Sequence, residues 1–135
     1  MGNFKKFEEL PCWKKTREFC KAVSRLINKA KLKNETNLKE QIWKAAGSAM
    51  DNIAEGFDDG SSREFIRFLG YSQRSCGEVQ SQMYRALDCG YISNSEFKVV
   101  YDLASECRMQ IKGFRKYLRN WGISIIPQFF SPLII

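Results

Sequence analysis

Apolar residues recur at alternating steps of three and four along most of this chain, which is the spacing of one face of an α-helix. The first such segment runs from about Pro11 to Lys31. A proline suits a first helical turn, because its missing N–H would have no helical partner there. The predicted inward side consists of Trp13, Phe19, Cys20, Val23, Leu26, Ile27 and Ala30.

Three more helical segments follow the stretch LKNETN, which breaks the pattern. The second runs from about Leu38 to Phe57, with inward residues Leu38, Ile42, Ala45, Ala46, Ala49 and Ile53. The third begins at Ser61 or Ser62, either of which is a good N-cap. It ends at Gly90 and has the inward residues Phe65, Leu69, Ser72, Cys76, Val79, Met83 and Ala86. The fourth begins after Ser93 or Ser95, with inward residues Phe97, Val100, Ala104, Cys107, Ile111, Phe114, Leu118 and Trp121.

An apolar step of 3.5 residues on average is typical of the seam in a helical bundle. Because the connections are short, sequential helices should run antiparallel. No window alternates apolar and polar residues as a half-buried strand would. The pattern therefore predicts an all-α protein, an antiparallel up-down-up-down four-helix bundle over residues 1–122.

The segment after this bundle, residues 123–135, is apolar and contains two prolines, Pro127 and Pro132, that prevent a regular helix. Exposed to water, it would favour aggregation. We expect a non-helical C-terminal tail that either folds back on its own bundle or docks on another copy of the chain. The second alternative favours an oligomer.

The inventory of side chains argues against several kinds of active site. The chain has no histidine, which removes Ser-His and Cys-His nucleophile pairs and the Glu-x-x-His ligands of di-iron bundles. Its five cysteines include no CxxC pair, so we expect buried free thiols in a reducing compartment. No signal peptide and no run of about 20 apolar residues is apparent. The sequence favours a cytoplasmic protein that is not an enzyme, has no cofactor or metal, and does not contact a membrane.

Charge gives the sharper functional signal. The net charge is +7, and it is basic at both ends and acidic in the middle, with +7 over residues 1–33, −5 over 34–106 and +5 over 107–135. Two helical faces are basic without an intervening acid, and we call each of them a basic stripe. The stripe of the first helix consists of Lys14, Arg17, Lys21, Arg25 and Lys29. The stripe of the fourth helix consists of Arg108, Lys112, Arg115 and Arg119, with Lys116 alongside. Because the first and last helices of an up-down bundle are neighbours, we expect the two stripes to merge into one surface.

Such a surface is suited to RNA or another polyanion, with contacts to phosphates that are salt-sensitive and independent of sequence. Two alternatives remain open at this point: a solvated face, or a surface for an acidic protein, including the middle of another copy. Neither stripe contains interleaved aromatic residues, which argues against reading of single-stranded bases.

The stretch SAMDNIAEGFDDGSSREF raises a separate question, since Glu55 lies in the last turn of a helix, where the dipole disfavours a carboxylate. We expect a tight corner in which Glu55 accepts free N–H groups of the next helix or pairs with Arg63 or Arg67. In this interpretation Asn52 bridges helices, Gly56 takes the left-handed C-cap conformation and Ser61 caps the next helix. The alternative is a metal or acid–base pair formed by Asp51 and Glu55.

The sequence resembles the four-helix-bundle proteins of the 23S rRNA intervening-sequence family. The resemblance is carried by LPCW, by QIWKAAGSAMDNIAEGF and by SSREFIRFLGYSQRSCGEVQSQMYRALDCGYIS, and covers about residues 7–120. It implies a bundle that assembles into a ring, commonly a pentamer. Related proteins are accessory variability determinants, which partner the reverse transcriptase of diversity-generating retroelements.

Residues and resemblance together lead to one hypothesis and one alternative. The hypothesis is a non-enzymatic, ring-forming bundle whose basic surface binds RNA, as an accessory protein to a reverse transcriptase. The alternative is a purely structural, self-assembling protein encoded in an rRNA intervening sequence, without nucleic-acid binding.

Overall fold

The computed structural model describes residues 4–121, except for the side chain of Trp121. This part of the chain is all-helical and contains no strand. After a 3₁₀ turn at Phe7–Glu9 come the five α-helices α1 (Pro11–Ile27), α2 (Ala30–Lys33), α3 (Thr36–Asp58), α4 (Ser62–Asp88) and α5 (Asn94–Trp121). The predicted tail, 123–135, lies outside the described residues.

The prediction for the first helix is wrong at the C-terminal end. It stops at Ile27, and the short helix α2 follows after Lys29, whose backbone is extended. At about 100° per residue, an unbroken α1 would turn Leu32 away from the core side formed by Val23 and Ile27. The break lets Leu32 reach the interior, where it is fully buried, while Ala30, predicted to face inward, is exposed.

The four long helices surround one core, in which α3 and α5 each pack between α1 and α4. The seven inward residues predicted for α4, Phe65 to Ala86, are all buried. The largest buried side chains include Phe19 on α1, Phe57 on α3 and Ile111 on α5. The pattern of apolar residues therefore predicted which faces of the long helices form the interior.

Polar side chains cross between the helices at small residues. The Ser72 hydroxyl of α4 donates to the Ala49 carbonyl of α3 at 2.6 Å. The Ser75 hydroxyl donates to the Ser48 hydroxyl at 3.0 Å, and the Cys20 thiol of α1 donates to the Ala46 carbonyl at 3.0 Å. Because these donors reach backbone or hydroxyl oxygens of α3, the helices approach closely while these hydroxyl and thiol groups remain hydrogen-bonded.

Gly56 has a different role from the one the sequence predicted. Helix α3 continues past it to Asp58, and the left-handed backbone conformation belongs to Gly60, with φ of +93°. Gly56 is buried against α4, where an added Cβ would lie 2.6 Å from the Phe68 Cβ and 3.0 Å from the Phe65 Cδ1. It is needed for the close approach of α3 and α4, not for a helix cap.

Replacement of Gly56 by Ala should therefore destabilise the protein by about 1–3 kcal/mol, the usual cost of an extra carbon in a packed interior. Gly47 on the same helix is the matched control, since its added Cβ would meet nothing within 4 Å. Gly47→Ala should stabilise the fold by about 0.5–1 kcal/mol through helix propensity alone. Urea denaturation of both variants measures the difference, and equal stabilities would contradict the close approach.

Candidate nucleic-acid interface

The basic residues of α5 turn toward α4. The Arg115 guanidinium donates from Nη1 to the Gln73 Oε1 at 3.0 Å and from Nε to the Ile66 carbonyl at 3.2 Å. Two helical turns earlier on α5, Arg108 donates from Nη1 to the Gln80 Oε1 at 2.7 Å. Two of the four predicted α5 site residues are thus held against α4 by hydrogen bonds.

Glycines on α4 create the space that these guanidinium groups occupy. An added Cβ at Gly70 would lie 2.9 Å from the Arg115 Nη2, and one at Gly77 would lie 3.5 Å from the Arg108 Cζ. Because Gly70 has no side chain, Arg115 can lie across the α4 backbone there, whereas a Cβ at Gly77 would only make ordinary van der Waals contact with Arg108. The seven-residue step from Gly70 to Gly77 matches the step from Arg108 to Arg115 in the opposite direction.

A cleft of about 530 Å³ opens along this contact, lined by Arg67, Gly70, Tyr71, Gln73, Arg74, Arg108 and Arg115. The Tyr71 ring lies between two of the arginines, with the Arg67 Cζ at 5.4 Å and the Arg74 Cζ at 4.9 Å from its centroid. The Tyr71 hydroxyl also accepts a 2.7 Å hydrogen bond from the Arg67 Nε. The aromatic ring therefore orients two guanidinium groups toward the cleft's margin.

The positive charge of this cleft is largely unneutralised. No lining residue is acidic, and among residues 4–121 only Arg67 of the four arginines forms an ion pair, with Glu64 at 2.8 Å. Burial, together with the neighbouring Arg119 and Arg74, lowers the pKa of Arg115. Desolvation and like charges both disfavour the cationic form of a group, and the opposite charge of an anion in the cleft would offset both effects.

The α1 stripe predicted from the sequence is on the outer surface, although its last member, Lys29, lies beyond the end of α1 at Ile27. Lys14, Arg17, Lys21, Arg25 and Lys29 are all exposed. Lys29 pairs with Glu96 of α5 at 3.2 Å, and the Arg17 Cζ lies 5.9 Å from the Trp13 ring centroid. Over the described part of the chain, the other members make no ion pair.

The two stripes do not form the single surface that the sequence suggested. The two ion pairs on this side of α5 use its acids, Glu106 with Lys15 of α1 at 2.8 Å and Glu96 with Lys29, which follows α1. Arg108 and Arg115 lie on the opposite flank of α5, against α4. Helix α5 therefore presents acids to α1 and arginines to α4. Lys112 and Arg119 are exposed and make no ion pair with any described residue.

The corner between α3 and α4 is only partly as predicted. Ser61 is the N-cap of α4, accepting a 3.1 Å hydrogen bond from the Glu64 backbone N–H. Asn52 donates to the Ser48 carbonyl and hydroxyl within its own helix, so it does not bridge helices directly. The expected partners of Glu55 are wrong: it is exposed, Arg67 pairs with Glu64 instead, and Arg63 forms no ion pair with a described residue.

The cysteines and carboxylates give no separate chemical site in the described part of the chain. Cys12, Cys20, Cys76 and Cys107 are buried and Cys89 is exposed, all as free thiols. Burial raises the pKa of both Cys12 and Cys20 to about 12, and a hydrogen bond with Cys76 raises that of Cys107 further. Among residues 4–121 no three His, Cys, Asp or Glu side chains are grouped to hold a metal ion.

Sequence reasoning missed Arg67, Tyr71, Gln73 and Arg74, the α4 side of the cleft. A signal was present, because Gly70, Gly77, Gln73 and Gln80 share one helical face, with steps of three and four that match the stripe of α5. Glycine at helix-interior positions is unfavourable unless a neighbour requires the space. Pairing that face with a basic stripe of the same spacing would have indicated the cleft.

Comparison with known proteins agrees with the geometry of the helices. A crystal structure from Bacteroides thetaiotaomicron, described as a protein of unknown function from the S23 ribosomal protein family, superimposes with a TM-score of 0.71. The alignment covers 78% of this chain and 95% of that one at 20% identity, which establishes a common fold alone. No curated protein matches the sequence.

The family model described as 23S rRNA-intervening sequence protein matches residues 8–113, from the 3₁₀ turn to the last third of α5. This range is more than half of the chain and includes both basic stripes except Arg115 and Arg119. The chain belongs to the 23S rRNA-intervening sequence protein family.

Proposed function

We propose that this protein binds RNA without catalysing a reaction, and that the α4–α5 cleft holds backbone phosphates. One observation carries this proposal: four arginines line the cleft, and no carboxylate lines it. Planar guanidinium groups match phosphate geometry in pairs of hydrogen bonds, and the partial burial of Arg115 strengthens each of these interactions relative to water. The contacts would be to phosphate and therefore independent of base sequence.

The α1 stripe provides a second, weaker surface for the same ligand. Its lysines and arginines are exposed charges on flexible stems, and apart from Lys29, which pairs with Glu96, they lack, within residues 4–121, hydrogen bonds like those that fix Arg108 and Arg115. Such charges steer a polyanion and release counterions, but they impose little geometry. In this proposal the cleft fixes the position of the RNA and the α1 stripe adds affinity.

We also infer the arrangement of the helices, an antiparallel up-down-up-down four-helix bundle. Where residue numbers increase along one helix, the numbers of the residues that they contact on the neighbouring helix decrease, which supports an antiparallel arrangement. Gln41 of α3 meets Arg85 of α4 while Ala49 meets Ser72. Likewise, Lys15 of α1 meets Glu106 of α5 while Lys29 meets Glu96.

The assembly and partner that we propose rest on the family resemblance. The assembly is a ring of five copies, a pentamer. The partner is the reverse transcriptase of a diversity-generating retroelement, beside which the protein acts as an accessory in the cytoplasm. None of the described helices is apolar over a length that would cross a membrane. A basic cleft that recognises phosphate without reading sequence is compatible with a partner that copies a template RNA.

Replacement of both Arg74 and Arg115 by Gln should weaken binding of a structured RNA at least tenfold and lower the slope of log K against log salt by about 2, one per lost phosphate contact. The control is Lys44→Gln with Lys98→Gln, which removes the same charge from exposed positions outside the cleft. Fluorescence anisotropy at several salt concentrations measures both quantities. Equal losses in the two double variants would show that net charge alone, not the cleft, binds RNA.

Failure of the unaltered protein to bind RNA at low salt would overturn the proposed function. The purely structural, self-assembling alternative would then be preferred.

Gly70→Ala tests the cleft without changing charge. The added methyl group would displace the Arg115 Nη2, which now lies 2.9 Å from its position, while helix propensity should raise stability by up to about 1 kcal/mol. We expect RNA affinity to fall severalfold in a protein that is no less stable. Gly113→Ala on α5, which meets nothing within 4 Å, is the control and should bind as the unaltered protein does.

Replacing Arg17, Lys21 and Arg25 by Gln tests the α1 stripe. Affinity should fall and the salt slope should decrease, with helicity unchanged by circular dichroism, because these side chains are exposed. Unchanged RNA binding would show that this stripe is a solvated face.

A further inference from the structure

An aromatic cluster lies farther along the contact between α4 and α5, beyond the arginine cleft. It consists of Tyr84 on α4 and of Phe97 and Tyr101 on α5. The Tyr84 ring centroid is 4.9 Å from that of Phe97 and 5.8 Å from that of Tyr101, while Phe97 and Tyr101 stack at 5.2 Å with an interplanar angle of 24°. Tyr84 is 50% exposed, so this cluster is partly a surface feature.

The Tyr84 ring is held in place but not covered by a parallel ring. The plane of the Tyr84 ring makes an angle of 59° with the ring plane of Phe97 and of 78° with that of Tyr101, so neither neighbour stacks on its face. The charge interaction with the nearby Tyr101 raises the pKa of Tyr84 above its ordinary value. A half-exposed ring that is packed edge-on against two neighbours is suited to stacking against a flat ligand.

The aromatic cluster and the arginine cleft lie along the same seam between α4 and α5, here called the α4–α5 groove, of which the arginine cleft is the part that opens as a cavity. Between them, the Gln80 amide donates to the Ser105 hydroxyl at 2.9 Å and to the Tyr101 carbonyl at 3.2 Å, while its oxygen accepts from Arg108. Along α5, Arg108 lies about 10 Å and Arg115 about 21 Å from Tyr101, at 1.5 Å per residue. The groove therefore presents aromatic rings at one end and guanidinium groups over the next two to four turns.

We propose that this groove binds a single-stranded nucleic acid, with bases stacked on the Tyr84 cluster and phosphates held by Arg108, Arg115 and Arg74. The proposal rests on the proposed function and specifies its ligand. Aromatic side chains next to a basic groove are the combination that single-strand binding uses, and a paired duplex does not offer its base faces for stacking. At 3.4 Å per nucleotide, the distance of about 21 Å corresponds to a stacked strand of about six nucleotides.

The aromatic cluster changes what the two basic stripes alone suggested, which was that single-stranded bases are not read. Neither basic stripe contains an aromatic residue, but Tyr84 belongs to a different helix and reaches the groove only because α4 and α5 pack side by side. The aromatic contribution is therefore a property of the pair of helices, which the α5 stripe alone does not reveal.

The test compares three labelled probes: an eight-nucleotide uridine strand, an abasic strand with the same number of phosphates, and a short RNA duplex. Tyr84→Leu keeps an apolar side chain but removes the ring, and Tyr84→Phe keeps the ring. Trp43→Leu is the matched control, since Trp43 is also half-exposed, at 48%, but lies on α3, away from the groove. Anisotropy titrations at one salt concentration give the affinities.

We expect Tyr84→Leu to bind the uridine strand about 5-fold to 150-fold more weakly, the range measured for loss of one base–aromatic stack. Its affinity for the abasic strand and the duplex should be unchanged, and Tyr84→Phe and Trp43→Leu should bind all three probes as the unaltered protein does. Circular dichroism and thermal melting verify that Tyr84→Leu remains folded. If it does not, Tyr101→Leu provides the same comparison.

Three outcomes would overturn the inference. Equal binding of the uridine strand by Tyr84→Leu and the unaltered protein would show that no base stacks there, while the phosphate cleft would stand if the arginine variants still lose affinity. An equal loss on the uridine and abasic strands would show that Tyr84 only positions the arginines. No binding of any probe by the unaltered protein would remove the proposed function as well.

Discussion

Small residues on α4 determine how closely its two neighbours approach. On one flank the hydroxyls of Ser72 and Ser75 reach α3 directly, at 2.6 and 3.0 Å. On the other flank Gly70 lets the Arg115 guanidinium lie across the helix, and Gly77 lies beside that of Arg108. Larger side chains at these positions would separate the helices or expel the arginines, so the core and the cleft depend on the same property of α4.

The hydrogen-bond acceptors of the arginines explain how the cleft keeps its charge. Arg108 and Arg115 donate to the Gln80 and Gln73 amide oxygens and to the Ile66 carbonyl, all neutral groups. A carboxylate at either glutamine position would orient the arginine equally well but cancel its charge. Neutral acceptors fix the geometry and leave the cation free to pair with an anion, whereas the solvent-exposed pairs elsewhere, such as Lys98–Asp102, combine opposite charges. This difference distinguishes the proposed phosphate-binding cleft from an ordinary solvated face.

The sequence predicted the helices well because burial of an apolar face dominates their placement. Every inward residue proposed for α4, from Phe65 to Ala86, is buried. The errors lie where a single tertiary contact outweighs the local pattern. Leu32 breaks α1 because its burial requires a change of direction, and Gly56 resembles a cap in sequence but serves a close contact with Phe68. Local spacing carries no information about which helix is opposite, so those contacts were not predictable from it.

The same limit applies to the candidate site. The spacing of Arg108 and Arg115 indicated one face of α5, but which neighbour that face meets depends on how burial of the apolar face rotates the helix. In the resulting orientation Glu106 pairs with Lys15 of α1 and Glu96 with Lys29 just after α1, while Arg108 and Arg115 lie against α4. Helix α5 thus separates its charges by sign: its acids lie on the flank toward α1, and Arg108 and Arg115 lie on the flank opposite Gly77 and Gly70. A stripe of one sign is therefore better interpreted together with the opposite stripe of the same helix, since the two together show which flank faces which neighbour.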